Sequence, residues 1–398
     1  MPAGDPVLVV GGGPAGSATA LQLARRGHAV TLIDRARFPR DKCCSEYGAP
    51  GTVRDLARLG VLDTLTRHGV GSLVGTRVTG ASGHVLLGRF QAAVEGARGM
   101  ALPRLLLDQI LLDAAREAGV TVIESTRFLG TEAVAGRMRS TVEHEGTRHE
   151  LTSRVVVGAD GLRSRVARSL DLARHGGLRR IAFVAHCEGV AGMSEDAELH
   201  AGQGAYVGLN PLGGGRTNVA LVVDAARVRG AMARPEALVR AELARLPAVA
   251  ARMGGATLAR PWLVTGPFDV RARRSVADGC LLVGDAADFF DPFTGEGIGA
   301  ALTGATLAAL ALDEALSGGG GITAARLAGY RTARRRQFAG KWVVERLIGH
   351  AIRHPRFFDR CIGRIERRGM AATLIAVTGD LLPPSRVLNP LFLARMVA

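Results

Sequence analysis

The chain has 398 residues, and its 51 basic and 36 acidic side chains leave a formal net charge of +15. That length exceeds one ordinary domain, so two closely joined units are expected, and 47% apolar residues permit a large core. Only Lys42 and Lys341 are lysines, so the charge is an arginine bias; without a nucleic-acid module or aromatic–basic interleaving, nucleic acid is excluded as a partner.

The first element is the apolar strand Val7 to Val10, followed by Gly11, Gly13 and Gly16 in G-x-G-x-x-G spacing and a helix opening near Pro14. In such a turn the first glycine makes the bend, the second lets a pyrophosphate reach the backbone, and the third lets helix pack on strand. A second strand ends at Leu32 and Ile33, and Asp34 follows at the position that accepts from ribose hydroxyls. The start MPAGDP has neither a basic region nor a cleavable apolar stretch, so a cytoplasmic protein is expected. The five cysteines are an odd number without metal-ligand spacing, which fits a reducing compartment and no metal.

Residues 76 to 100 read as strands entering a second domain. Pro103 to Ala118 reads as a helix with Leu106, Ile110, Leu111 and Ala114 on its apolar side. Short strands fill 120 to 157 and end on Val155 to Val157, with Asp160-Gly161 beyond. From about 176 to 265 the pattern is antiparallel, with Gly213 to Gly215 as a hairpin turn. Cys280 to Val283 is another buried strand, with Gly284 and Asp285 at its carboxyl end, where ligands gather in open α/β sheets. Pro292, Gly295 and Gly297 open a small-residue helix that stops at Asp313 and is too short for a membrane span. The tail from Arg353 to Arg368 is an amphipathic helix, expected to pack on the substrate domain, with docking at an anionic membrane as the alternative.

The three segments G-x-G-x-x-G, D-G and G-D, in this order, resemble the fingerprint of class A flavoprotein monooxygenases and their relatives, which include geranylgeranyl reductases and flavin-dependent halogenases. The likeness spans nearly the whole chain. It includes FPRDKCCSEY, Phe38 to Tyr47, similar to the F-P-R-x-K-x-C-G-E loop of the reductase branch, and LPRLLLD, Leu102 to Asp108. The resemblance implies an α/β fold with a Rossmann-type FAD-binding domain, formed by residues 1–75, 101–175 and 266–320. It also implies an inserted antiparallel substrate domain (76–100 and 176–265) and a helical tail (321–398). FAD is the implied cofactor, with NADPH or NADH as transient reductant and molecular oxygen as co-substrate.

Residue roles follow from the resemblance. Gly11, Gly13, Pro14, Ala15 and Gly16 would cradle the pyrophosphate, Asp34 the adenosine ribose, and Arg104 the diphosphate or ribityl chain. Asp160 and Gly161 support the same site; Gly284 and Asp285 would hold the ribityl hydroxyls. Pro292, Gly295, Gly297 and Ile298 would approach the isoalloxazine through the backbone, with the helix dipole facing charge that develops on reduction. Substrate candidates are Glu46, Tyr47, Tyr206, Gly208, Asn210, Phe293 and Thr294. His186 is the candidate base, against the alternative of a hydrogen-bonded wall residue. Cys43-Cys44 reads as two small residues in a tight loop, or else as thiols shaping the flavin pocket.

The main expectation is a hydroxylase working through a flavin C4a-hydroperoxide on an apolar aromatic or polyketide-like molecule of bacterial secondary metabolism. The alternative is a double-bond reductase of the geranylgeranyl type. Halogenation ranks below both, because Gly208 stands where halogenases and reductases carry a central tryptophan and the only nearby lysine, Lys42, lies in the wrong segment. A catalytically silent flavin-binding partner ranks below them because Asp160, Asp285 and the Pro292 to Gly297 helix start are intact. A membrane surface or acidic carrier protein remains a further expected partner.

Overall fold

The computed structural model describes residues 5–202, 204–228 and 235–397; residues 1–4, on which the leader reading partly rests, lie outside them. Its centre is a six-stranded sheet in the order Val276–Ala277, Cys280–Leu282, Val155–Gly158, Val7–Val10, Val30–Ile33, Thr121–Ile123. All neighbours run parallel except the first pair, a hairpin. The three middle strands are buried along nearly their whole length, as a sheet covered on both faces requires. Val10 is in register with both Ile33 and Gly158, and Gly158 with Leu282. The carboxyl ends are therefore flush, and Gly11, Asp34, Asp160 and Asp285 line one edge.

Helices Pro14–Ala24, Arg104–Glu117 and Gly297–Ser317 pack with this sheet in the largest apolar cluster. Gly297–Ser317 is long and apolar enough to cross a membrane, yet eleven of its residues are buried in the core. It does not stop at Asp313 as expected. Asp313 lies at the helix's open side, paired with His28 and Arg26, so a charge there does not end it. In Arg104–Glu117 the buried face is Leu107, Asp108, Leu111, Leu112 and Ala115, one position round from the expected stripe, because Asp108 turns inward to ion-pair with Arg40 and Arg104.

The second sheet has seven strands: Thr257–Thr265, Arg180–Glu188, Arg216–Asp224, Ala205–Gly213, Asp196–Gly202, Gly75–Thr79 and Val85–Arg89. All pairs are antiparallel except Asp196–Gly202 with Gly75–Thr79. The region 176–265 is not wholly antiparallel, however. Helices Pro235–Ala244 and Pro247–Met253 interrupt it, and Val239, Leu243, Leu246 and Val249 cover one face of the sheet. Val207 and Leu209 point to that face; Tyr206, Gly208 and Asn210 point to the other, toward the parallel-sheet edge.

The C-terminal helices Ala328–Ala351, Pro355–Arg367, Ala371–Thr378 and Pro390–Val397 close the structure. Cys361, Ile362 and Ile365 of the second are buried, and the helix packs on strand Val85–Arg89, so its apolar face is already covered.

Candidate functional site

The glycine turn after Val7–Val10 is shaped by close approach. A Cβ on Gly16 would stand 1.8 Å from the Gly11 carbonyl oxygen, and one on Gly11, at φ +109°, would stand 2.5 Å from the Ala159 oxygen. Only hydrogen fits at either place. Asp34 holds the turn: its Oδ2 accepts from the Gly12 N–H at 2.7 Å and its Oδ1 from Ala36 N–H at 2.8 Å. Pro14 and Ala15 are buried in the first turn of the helix.

Gly13 faces cations. A Cβ there would lie 3.4 Å from an Arg40 nitrogen and 3.8 Å from an Arg104 nitrogen. Arg104 donates to Asp108 at 2.8 and 2.7 Å, and Arg40 meets the same carboxylate at 2.7 Å. Asp108 thus fixes both guanidinium planes beside the turn. Lys42 joins them. Burial lowers its pKa, as do Arg104, Arg40 and Arg35, while Asp285 acts in the opposite sense. Burial raises the pKa of Asp285, against the pull of Lys42 and Arg104. The Lys42 amine is 3.9 Å from where a Gly161 side chain would begin. Asp160 Oδ2 accepts from Arg165 N–H at 2.5 Å and Val166 N–H at 3.2 Å, while its Oδ1 is buried without a partner. Backbone amides, three basic side chains and a spare carboxylate oxygen on one edge could hold an anionic group such as a diphosphate together with hydroxyl groups.

Gly284 takes φ +61°, and a Cβ there would press on Ala15 at 2.8 Å, so this turn touches the helix that follows the glycine turn. Pro292–Thr294 is a single 3₁₀ turn, Gly295 is left-handed at φ +70°, and the long helix begins only at Gly297, with Ile298 buried behind it. The Tyr47 ring lies under Gly295, 2.7 Å from where a Cβ would be. Lys341 spans Glu296 and Asp380, tying this helix start to the C-terminal region. Burial lifts the Glu296 carboxyl to about 7, with Lys341 opposing. Thr294 lines a small cavity with Asp291, Phe338 and Trp342.

The loop from Phe38 to Tyr47 is clamped to the antiparallel sheet. Glu46 is 1% exposed and sits at φ +56°. Its Oε1 accepts from the Arg104 N–H at 2.9 Å, and its Oε2 meets His186 Nε2 at 2.6 Å and accepts from Asn218 at 3.0 Å. Burial alone would raise its pKa; the hydrogen bonds from His186, Arg104 and Asn218 outweigh it and hold the carboxyl below its usual value. Glu46 is therefore a carboxylate, His186 Nε2 must carry the proton in this contact, and Nδ1 is the ring nitrogen left for exchange. Asn210, in register with Asn218, donates to the Ser45 and Glu46 carbonyls at 3.2 and 2.8 Å.

Further along the same face, Tyr206 donates to Asp291 Oδ1 at 2.8 Å, and Arg180 ion-pairs with Oδ2 at 2.8 Å. Phe293 stands edge-on to Tyr206 at 5.1 Å and to Phe358 at 5.9 Å. Tyr206 is 2% exposed, so it braces the wall rather than opening into a pocket. Gly208 does open: a Cβ there would meet only ordinary contacts at 3.9 Å or more. Cys43 packs with this apolar cluster and donates to the Leu263 carbonyl; burial pushes its thiol up to about 12. Cys44 accepts from Glu46 N–H, and burial raises it as well. Both thiols stay protonated near neutrality.

The structure thus brings Glu46, His186 and Asn210 together, and separately Tyr206 and Phe293. Sequence reasoning missed Arg40, Lys42, Asn218 and Asp291 as site residues. Arg40 and Lys42 were visible as basic residues in the loop after the first βαβ unit, and Asn218 as the cross-hairpin partner of Asn210.

Residues 5–345 match the family model described as FAD binding domain. The chain is 30% identical to the menaquinone reductase of Mycolicibacterium smegmatis, covering 93% of this chain and 90% of that protein. It is 31% identical to digeranylgeranylglycerophospholipid reductase 1 of Methanothermobacter thermautotrophicus, covering 81% and 80%. The fold is shared with the geranylgeranyl bacteriochlorophyll reductase-like protein Ta0516 of Thermoplasma acidophilum, at TM-score 0.80, 20% identity and coverage of 96% and 97%. The flavin-dependent halogenase CmlS superposes at TM-score 0.77 with 26% identity over 85% of this chain, which spans 63% of that halogenase.

Proposed function

The chain belongs to the FAD binding domain family and is an FAD-dependent oxidoreductase, and from that premise we propose that it saturates a carbon–carbon double bond in an apolar, isoprenoid-like substrate. The observation that carries this reading is the 30% identity to a menaquinone reductase along 93% of the chain. It weighs for reduction over the hydroxylation expected first.

The residues present fit FAD: the unpartnered Asp160 oxygen, the side-chain-free glycine turn and the cations beside Gly13 are its counterparts. In this proposal Gly11 to Gly16 with Arg40 and Arg104 hold the diphosphate, Asp34 the ribose, and Asp285 with Lys42 the ribityl chain. The backbone from Gly295 to Ile298 meets the ring system. Bound FAD supplies hydride transfer, recharged by NADPH, NADH or an external donor. The chain's own part is to exclude water with the Tyr206–Phe293–Phe358 wall and to provide a proton. Glu46 fixes His186 by holding Nε2–H, and Nδ1 exchanges the proton that completes reduction. Gly208 leaves room for a bulky chain beside the reacting bond.

The test is oxygen stoichiometry during turnover of the FAD-loaded protein with a short prenylated quinone or geranylgeranyl lipid. The proposal expects reductant consumption matched by saturated product, with no oxygen incorporated. Oxygen uptake equal to product, with an added oxygen atom, restores the hydroxylase.

A further inference from the structure

Residues 328–397 carry fourteen basic and four acidic side chains, a net +10 out of the chain's +15. Of their thirteen arginines, only Arg334 has an ion-pair partner among the described residues, Asp288. Ten of the other twelve are exposed, among them Arg353, Arg356, Arg360, Arg367, Arg368 and Arg395.

Apolar side chains stand among them. Leu391 is 69% exposed, Leu347 49% and Val343 45%. Helix Pro390–Val397, PLFLARMV, has no buried residue despite its composition. Its side chain Phe392, with Leu388, packs on the apolar cluster that holds Val344 and Ile348 of helix Ala328–Ala351, while the helix itself lies against Pro355–Arg367. Arg364 and Arg368 donate to the carbonyls of Val397 and Arg395, which anchors that helix against Pro355–Arg367. The inner face of Pro355–Arg367 is Phe358, edge-on to Phe293 of the apolar wall.

We propose that these C-terminal helices form a docking surface for an anionic lipid bilayer. Leu347 and Leu391 enter the interface and the unpaired arginines meet lipid phosphates. The apolar face of Pro355–Arg367 is excluded, being buried against Val85–Arg89. Unpaired positive charge of this density selects an anionic partner, and exposed leucines among it select one with an apolar interior. Helix Pro355–Arg367 then lies between the bilayer and the substrate wall. The surface stands independently of the reaction assigned above.

The test is co-sedimentation of the FAD-loaded full chain with vesicles of phosphatidylglycerol and phosphatidylcholine in equal parts, and of phosphatidylcholine alone. Binding is expected to the anionic vesicles and to weaken with salt. Arg360→Gln with Arg367→Gln should reduce partitioning about twenty-five-fold, taking each surface arginine as worth about fivefold. Leu347→Asp with Leu391→Asp should abolish it. These side chains are exposed, so bound FAD and Tm should be unchanged. Absence of binding at low salt, equal binding to neutral vesicles, or binding unmoved by both double variants overturns the proposal. So does a solution dimer that Leu391→Asp dissolves, since a second copy would then cover the face.

Discussion

Glu46→Gln isolates the contact on which the loop clamp turns. The carboxylate accepts from three donors, Arg104 N–H on one oxygen and His186 and Asn218 on the other. A glutamine offers one carbonyl oxygen, so its NH₂ must face at least one of those donors. A buried donor left unsatisfied costs about 1–3 kcal/mol, and the charge-assisted bonds lost are worth roughly 1.5–3 kcal/mol. About 3 kcal/mol of destabilisation is expected, a fall in Tm of about 4 °C for a chain of this length. The pH dependence has a definite sign. The Glu46 carboxyl is depressed in the folded state, so its contribution is full above the unfolded value of about 4.3 and is lost as pH falls through the folded value. Chemical denaturation of wild type and variant at pH 7, 5 and 4 measures it. The gap should be constant from 7 to 5 and begin to narrow at 4. A gap under about 0.5 kcal/mol at pH 7, or one that widens in acid, refutes the reasoning.

Three other outcomes follow from the same geometry. Gly16→Ala places a methyl 1.8 Å from the Gly11 oxygen, so the purified protein should lose bound flavin, read as absorbance near the flavin maximum relative to protein. Lys42→Met removes the cation beside Asp285 and should weaken FAD binding at least tenfold, of the order expected for a desolvated charge pair, by flavin fluorescence titration. Gly208→Ala meets only ordinary contacts and should leave Tm within about 1 °C, whereas Gly208→Trp should raise KM for branched or long-chain substrates more than for short ones.

The glycine turn and the residues that share its sheet edge were legible because their constraints are local. Gly11 and Gly16 are dictated by close approach within one strand–turn–helix unit, and Asp34, Asp160 and Asp285 each follow an apolar run that ends at the same sheet edge. The loop clamp was not. Glu46 finds its partners 58, 140 and 172 residues away, brought together by topology that no periodicity encodes. His186 was singled out from its chemistry, but its commitment to Glu46 emerges only when strand Arg180–Glu188 is set beside the loop. The helices after residue 234 were misjudged although Val239, Leu243, Leu246 and Val249 recur at helical spacing; the alternating strands on either side dominated the reading. The buried stripe of Arg104–Glu117 slipped by one position because an aspartate, Asp108, belongs inside when two arginines neutralise it.

The central claim is that this flavoprotein reduces a double bond rather than oxygenating its substrate. Anaerobic single turnover decides it most directly: the FAD-loaded protein is reduced chemically, mixed with a prenylated quinone in the absence of oxygen, and followed by flavin absorbance and product mass. The account predicts flavin reoxidation coupled to a product heavier by two hydrogens. Flavin that stays reduced until oxygen is admitted, followed by a product heavier by one oxygen atom, would contradict it.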